Sequence, residues 1–242
     1  MESPLFKVPL LLGLSLWTYR GMSPPLRPPR SNERARAAIP DFLTVGSNVQ
    51  RVAIGTAKVI FCTFAAVEAA SIVVQQTPLV LDTLSSTLPT VAASTVALSL
   101  KLTPISLAGG LLGIAGGCIR VWCHQTLGRF FTWEVAVRDG HRLVTDGPYS
   151  IVRHPSYTGW YLVIIGNLLA MLSRRSLFTE TGLGRTFVGK AIATYVTVYM
   201  GYVCAGMLYR TKTEDEMLKK EFGAEWEDWA KKTPYRLIPF VY

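Results

Sequence analysis

The chain alternates long apolar stretches with short basic or polar ones. Val52 to Val74 runs 23 residues with Lys58 and Glu68 as its charges, long enough as a helix to cross a hydrocarbon core of about 30 Å. Ile105 to Cys123 and Phe187 to Leu208 are further long runs, the latter with only Lys190 charged. Shorter ones occupy Leu5 to Trp17, Leu88 to Leu102 and Tyr157 to Leu172. Strand-like alternation is nearly absent, and no internal repeat is visible. The pattern predicts an all-α integral membrane protein with five to six transmembrane helices. Leu5 to Trp17 has the apolar core of a secretory signal but no basic segment before it, so it reads as a short first membrane or interfacial helix. The Arg/Pro-rich segment from Arg20 to Arg36 then reads as a cytosolic linker.

Composition agrees with this reading. Half the residues are hydrophobic and 17% are charged, where a soluble domain carries about a quarter. The net charge is +9, with basic residues flanking apolar runs as the positive-inside bias requires. No nucleic-acid motif accompanies the charge, which argues against nucleic acid as a partner. Cys62, Cys118, Cys123 and Cys204 lie in apolar surroundings without a C-x-x-C pair, so neither a metal site nor a disulfide framework is expected. Gly109, Gly113 and Gly117 repeat every four residues. Such a stripe lets helices approach closely, within one chain or between two copies in a homo-oligomer. Lys58 could snorkel, and Glu68 would face a neighbouring helix, since intramembrane ions are costly.

Candidate chemistry concentrates after residue 123, which divides the chain into an N-terminal membrane region (1–123) and a C-terminal region (124–242). The first segment of interest is His141 to Trp160. Asp146-Gly147-Pro148 signals a turn, and Pro155 keeps His154 extended or in a turn. This constrained loop gathers His141, Tyr149, Arg153, His154 and Tyr157 near the membrane surface. An interfacial aromatic belt with basic anchors is the alternative explanation. The second segment is Arg210 to Trp226. Arg210 and Glu214, four apart, share a helix face. Thr213 and Glu216 match a capping box. Phe222, Trp226 and Trp229 form an aromatic stripe that reads as an interfacial anchor.

Arg153-His-Pro-Ser-Tyr-Thr-Gly159, preceded by Leu143-Val-Thr-x-Gly-x-Tyr149, resembles the R-H-P-x-Y-x-G signature of the isoprenylcysteine carboxyl methyltransferase family. Glu214 with Glu216, then Phe222-Gly223, Trp226 and Pro239-Phe240, is similar to its C-terminal pattern. The resemblance covers roughly Leu127 to Tyr242. It implies an S-adenosylmethionine pocket on the cytosolic face, built from the loop before a membrane helix and a C-terminal helix. Cofactor contacts would fall on Glu134, His141, Arg142, Leu143, Val144, Tyr149, His154, Pro155, Ser156, Tyr157 and Glu214. Arg210 would bind the substrate, the carboxylate of a prenylated C-terminal cysteine, and Arg210 and Glu214 would be the catalytic pair. The family's setting implies the endoplasmic reticulum membrane.

Such chemistry suits these residue types. The nucleophile is a carboxylate with a pKa of about 3.5, so no general base is needed. Alignment with the methyl group is the main requirement, and an arginine can orient the carboxylate through two parallel hydrogen bonds. A phosphatidylethanolamine-type N-methyltransferase would instead need a base, for which Glu68 or His154 could serve. A membrane sterol reductase has a similar loop, but with Asn where this chain has Ser156 and an acid where it has Trp160. A non-catalytic scaffold would use Arg210, Glu214 and His154 only as anchors.

Overall fold

The structure, a computed structural model, describes residues 3–23, 47–132 and 139–242. Every regular element among them is helical. Helix α1 covers Lys7–Met22, α2 Ser47–Gln76, α3 Pro78–Thr87, α4 Pro89–Val96 and α5 Pro104–Leu127. Then come α6 (Pro155–Leu172), α7 (Leu177–Glu180), α8 (Phe187–Thr194), α9 (Met200–Phe222) and α10 (Ala224–Lys232). Residues 24–36 of the Arg/Pro segment lie outside the described residues.

Among the described residues, four helical stretches are long and apolar enough to cross a membrane: Asn48–Gln76, Pro104–Phe130, Pro155–Glu180 and Phe187–Phe222. The last is one continuous rod because a π-helical turn, Tyr195–Tyr199, joins α8 to α9. It starts at Thr186, whose hydroxyl accepts from the Gly189 amide at 3.1 Å. The apolar run from Leu88 to Leu102 differs from expectation. It is not one helix: Pro89 keeps Leu88 out of the helical conformation (φ −139°, ψ 70°), which separates α3 from α4, and α4 ends at Val96.

Two compact units share these helices. Unit 1 comprises Met1–Tyr19, Thr56–Ala115 and Leu162–Met200; unit 2 comprises Arg20–Gly55, Gly116–Tyr161 and Gly201–Tyr242. In unit 1 the glycine stripe meets α6. A β-carbon on Gly166 would overlap the backbones of Gly113 and Gly109. These contacts are within the chain and let the two helices touch backbone to backbone. Glu68 faces α1, as a buried intramembrane acid requires, and pairs with Lys7 at 2.5 Å. The pair is closed off by the Leu177 amide, which donates to Glu68 Oε2 at 2.9 Å, and by the Arg175 carbonyl, which accepts from Lys7 Nζ at 3.0 Å. Lys58 lies over the Tyr19 ring, 4.7 Å from its centroid.

Unit 2 corrects two local expectations. Thr213 caps no helix, because α9 runs unbroken from Met200 to Phe222. Gly223 ends it in a left-handed conformation (φ 52°) that a β-carbon would disfavour. The aromatic stripe turns inward rather than lying at an interface. Trp229 is 6% exposed and packs with Cys123 and Tyr149. Its indole N–H donates to the Tyr149 carbonyl at 3.1 Å, satisfying the one polar atom that would oppose burial.

Candidate functional site

Local backbone geometry sets the loop. Gly147 adopts φ 57°, a left-handed turn opening, and Gly147–Ser150 forms a 3-10 turn. The chain then runs through a turn and a bend to Pro155, the first residue of α6, where a missing N–H costs nothing. The residues just before Pro155 bond to the C-terminal tail. The Arg153 amide donates to the Tyr235 carbonyl at 2.9 Å and the His154 amide to the Arg236 carbonyl at 2.8 Å. The Thr158 hydroxyl adds a bond to the Leu237 carbonyl at 2.6 Å.

Against this strap α9 presents two consecutive acids. His154 sits between them, Nδ1 3.3 Å from Glu214 Oε2 and Nε2 3.0 Å from Asp215 Oδ1. A carboxylate at each nitrogen favours the doubly protonated ring, in which both nitrogens donate. Burial alone would lower the His154 pKa, but its bonds to Asp215 and Glu214 outweigh that and raise it above the ordinary 6.5. The stability gained is fully present below the ordinary value and is lost as pH rises through the raised one. The ring also stacks on Tyr157, with centroids 5.6 Å apart.

Each acid has further cationic partners. Arg210 lies 3.2 Å from Glu214 Oε1, the i,i+4 pairing expected of a continuous helix. Asp215 meets Arg153 at 3.1 Å and Arg236 at 2.8 Å. Arg153 Nη1 also donates to the Thr233 and Pro234 carbonyls at 2.9 and 2.8 Å.

A cavity of about 140 Å³ opens beside this cluster. It is lined by His141, Arg142, Leu143, Val144 and Tyr149 from the loop, by His154, Ser156 and Tyr157 at the start of α6, and by Arg210 and Glu214 of α9. Pro155 is buried at the helix start and does not line it. Glu134 lies outside the described residues. The His141 ring stacks on Phe130 at 5.0 Å, giving the cavity an aromatic face. Burial pushes the Tyr149 phenol well above its ordinary pKa, so it stays neutral.

Several wall residues are not read as site residues from the sequence: Arg120, Phe130, Phe131, Met207 and Met217, with Trp160 and with Trp229, which reads there as an anchor. Arg120 is 5% exposed. It donates through Nη1 to the Ser156 carbonyl and hydroxyl, both at 3.0 Å, and lies over Trp160 at 4.8 Å. An arginine inside the Ile105–Cys123 run carried the same intramembrane-ion signal as Glu68. Asp215 does not line the cavity and had no spacing signal; only the fold brings Arg153, His154 and Arg236 to it.

The arrangement offers one carboxylate wall, several guanidinium groups and an aromatic face. That set suits a zwitterionic ligand with a flat ring system. The sequence model of the isoprenylcysteine carboxyl methyltransferase family matches residues 110–181, which include Arg120, the His141–Gly159 loop and α6. Over that stretch the chain is similar to the family. It is 33% identical over 145 residues to a protein-S-isoprenylcysteine O-methyltransferase of Rattus norvegicus, covering 58% of this chain and 43% of the relative. To the B form from Arabidopsis thaliana it is 31% identical over 139 residues, covering 57% and 60%. The chain thus spans about half the length of these curated methyltransferase relatives. A Delta(14)-sterol reductase of Mus musculus matches at 26% over 103 residues, covering 43% of this chain and 20% of the reductase. Arg210 and Glu214 lie beyond the family match.

Proposed function

We propose that this protein transfers a methyl group from S-adenosylmethionine to the C-terminal carboxylate of a prenylated cysteine. The observation that carries the reading is Glu214, fixed between Arg210 and His154 with its carboxylate on the cavity wall. A carboxylate so held suits the ammonium of an amino-acid cofactor. The aromatic face of Phe130 and His141 suits an adenine ring. Arg142, Leu143, Val144, Tyr149, Ser156 and Tyr157 supply further wall.

When bound, the cofactor supplies a methyl group on a sulfonium, open to in-line attack. The protein's task is alignment. Arg210 offers a planar pair of N–H donors that can hold the substrate carboxylate. Part of its charge is already engaged by Glu214, so it orients the nucleophile without quenching it. Trp160 and Met207 give the cavity apolar walls, which keep water from the reacting groups. No residue has to remove a proton, because the carboxylate is already ionised at neutral pH. Glu68, engaged by Lys7, is not available as the base an amine acceptor would need.

The prenylated cysteine is the partner and the lipid bilayer the surroundings. We place the enzyme in the endoplasmic reticulum membrane with the cavity facing the cytosol. Residues 1–123 then supply membrane helices and 124–242 most of the catalytic wall. In this reading α1 adds a short fifth membrane helix to the four long stretches. The test is to incubate membranes containing the protein with methyl-labelled S-adenosylmethionine and N-acetyl-farnesylcysteine. Labelled farnesylcysteine methyl ester is expected; labelled phospholipid instead, or cofactor binding that prefers NADPH, overturns the reading.

A further inference from the structure

Asp215 is 3% exposed and does not touch the cavity, yet more charged groups converge on it than on Glu214. Oδ1 faces His154 Nε2 at 3.0 Å, and Oδ2 faces Arg236 Nε at 2.8 Å and Arg153 Nη2 at 3.1 Å. A buried carboxylate is tolerated when its lone pairs are all occupied. Here the three donors come from two segments that α9 must hold together: the Arg153–His154 strap and the C-terminal tail.

We propose that Asp215 is a positioning residue for the site: it holds the His154 ring so that Nδ1–H points at Glu214, which fixes the Glu214 carboxylate on the cavity wall. The inference rests on the methyltransferase reading for its catalytic consequence. The geometry explains why two adjacent acids are needed. Successive helix residues point about 100° apart, so Glu214 can face the cavity while Asp215 faces the strap. The imidazole bridges the two directions. Without the anion at Nε2, His154 gives up a proton more readily. Glu214 then faces either a neutral Nδ1–H in place of a cationic donor or, where the ring keeps Nε2–H, a bare Nδ1 lone pair that repels it. The groups facing His154 are Glu214, Asp215 and Tyr157, with Arg153, Arg210 and Arg236 one carboxylate further out. Of these only the two acids favour the cation.

The experiment uses the full chain in detergent or nanodiscs and two readouts. The first is KM for S-adenosylmethionine against pH. Asp215→Asn is expected to move its alkaline rise about one pH unit lower. Asp215→Glu should recover part of the shift. The second is the titration of His154 in protein labelled at its three histidines, which needs no turnover. Its midpoint should fall in Asp215→Asn. If Asp215→Asn does not accumulate, Arg236→Gln decides, because removing a cation from Asp215 should move both midpoints upward. Unmoved KM and His154 profiles in the Asn variant, or an unmoved or downward shift in Arg236→Gln, overturn the proposal. An inactive wild type with a normal His154 response would count against the methyltransferase reading and not against the link from Asp215 to His154.

Discussion

Unit 1 and unit 2 both bury charge, and they do so differently. In unit 1 the buried charge is a closed pair. Lys7 and Glu68 meet each other, and nearby backbone groups take up one further donor and one further acceptor. Around the pair, glycine contacts and apolar packing hold α5 against α6. In unit 2 the buried charges form a branched network with one end open. Arg153, Arg236 and His154 converge on Asp215, His154 passes on to Glu214, and Glu214 ends at the cavity wall beside Arg210. A closed pair can only staple helices. A network that ends at a cavity leaves an oriented charge for a ligand to meet. Burial of ions alone is therefore no sign of function; the useful sign is whether the network terminates on an accessible wall.

The comparison can be tested by breaking each region in turn. The largest effect should come from the open end. Glu214→Gln keeps the shape but removes the charge, and the proposed methyl transfer should fall about a hundredfold or more, equivalent to about 2.7 kcal/mol or more of barrier. The variant should still accumulate, and the labelled-methyl assay measures the loss. Next is the staple. Glu68→Leu leaves Lys7 buried and unpaired, which should cost about 3–5 kcal/mol, read as a lower thermal midpoint in detergent. The double variant Lys7→Met with Glu68→Leu should recover most of this, with KM unchanged in both. A double variant as unstable as the single one would show that Glu68 does more than pair.

Third is the glycine contact. Gly166→Ala places a methyl group in the Gly113 backbone and should cost about 1–3 kcal/mol, again without a change in KM. The smallest expected effect is Trp229→Phe. It keeps an aromatic ring but removes the pyrrole ring and its donor to Tyr149, for about 1–2 kcal/mol. A larger loss of activity than of stability there would mean that the Tyr149 carbonyl helps set the cavity wall.

Much of this was legible along the chain. The long apolar runs became the long helices, because an apolar stretch of about 20 residues has few other stable states in lipid. The i,i+4 spacing of Arg210 and Glu214 anticipated their pair, since helix geometry fixes that contact locally. The Arg153-His154-Pro155 run marked the strap that ends in α6. The misread features depended on competition. Thr213 and Glu216 fit a capping box, but α9 was already under way, and the Thr213 hydroxyl lies 3.5 Å from the Tyr209 carbonyl one turn back. Trp229 reads as an anchor until Tyr149 is known to lie opposite it.

By itself, then, the sequence determined a basic, helical membrane protein, the constrained His141–Gly159 loop and the Arg210–Glu214 face. These follow from helix periodicity, proline and glycine geometry, and the poor solvation of charge in lipid. Tertiary structure alone decided that Asp215 gathers Arg153, His154 and Arg236, which lie 62, 61 and 21 residues away in the chain. It also decided that Arg120 reaches Ser156 and that the glycine stripe packs within the chain. The reason is that a buried charge takes whatever partner the fold brings within hydrogen-bond reach, and no spacing rule carries that information across distant segments.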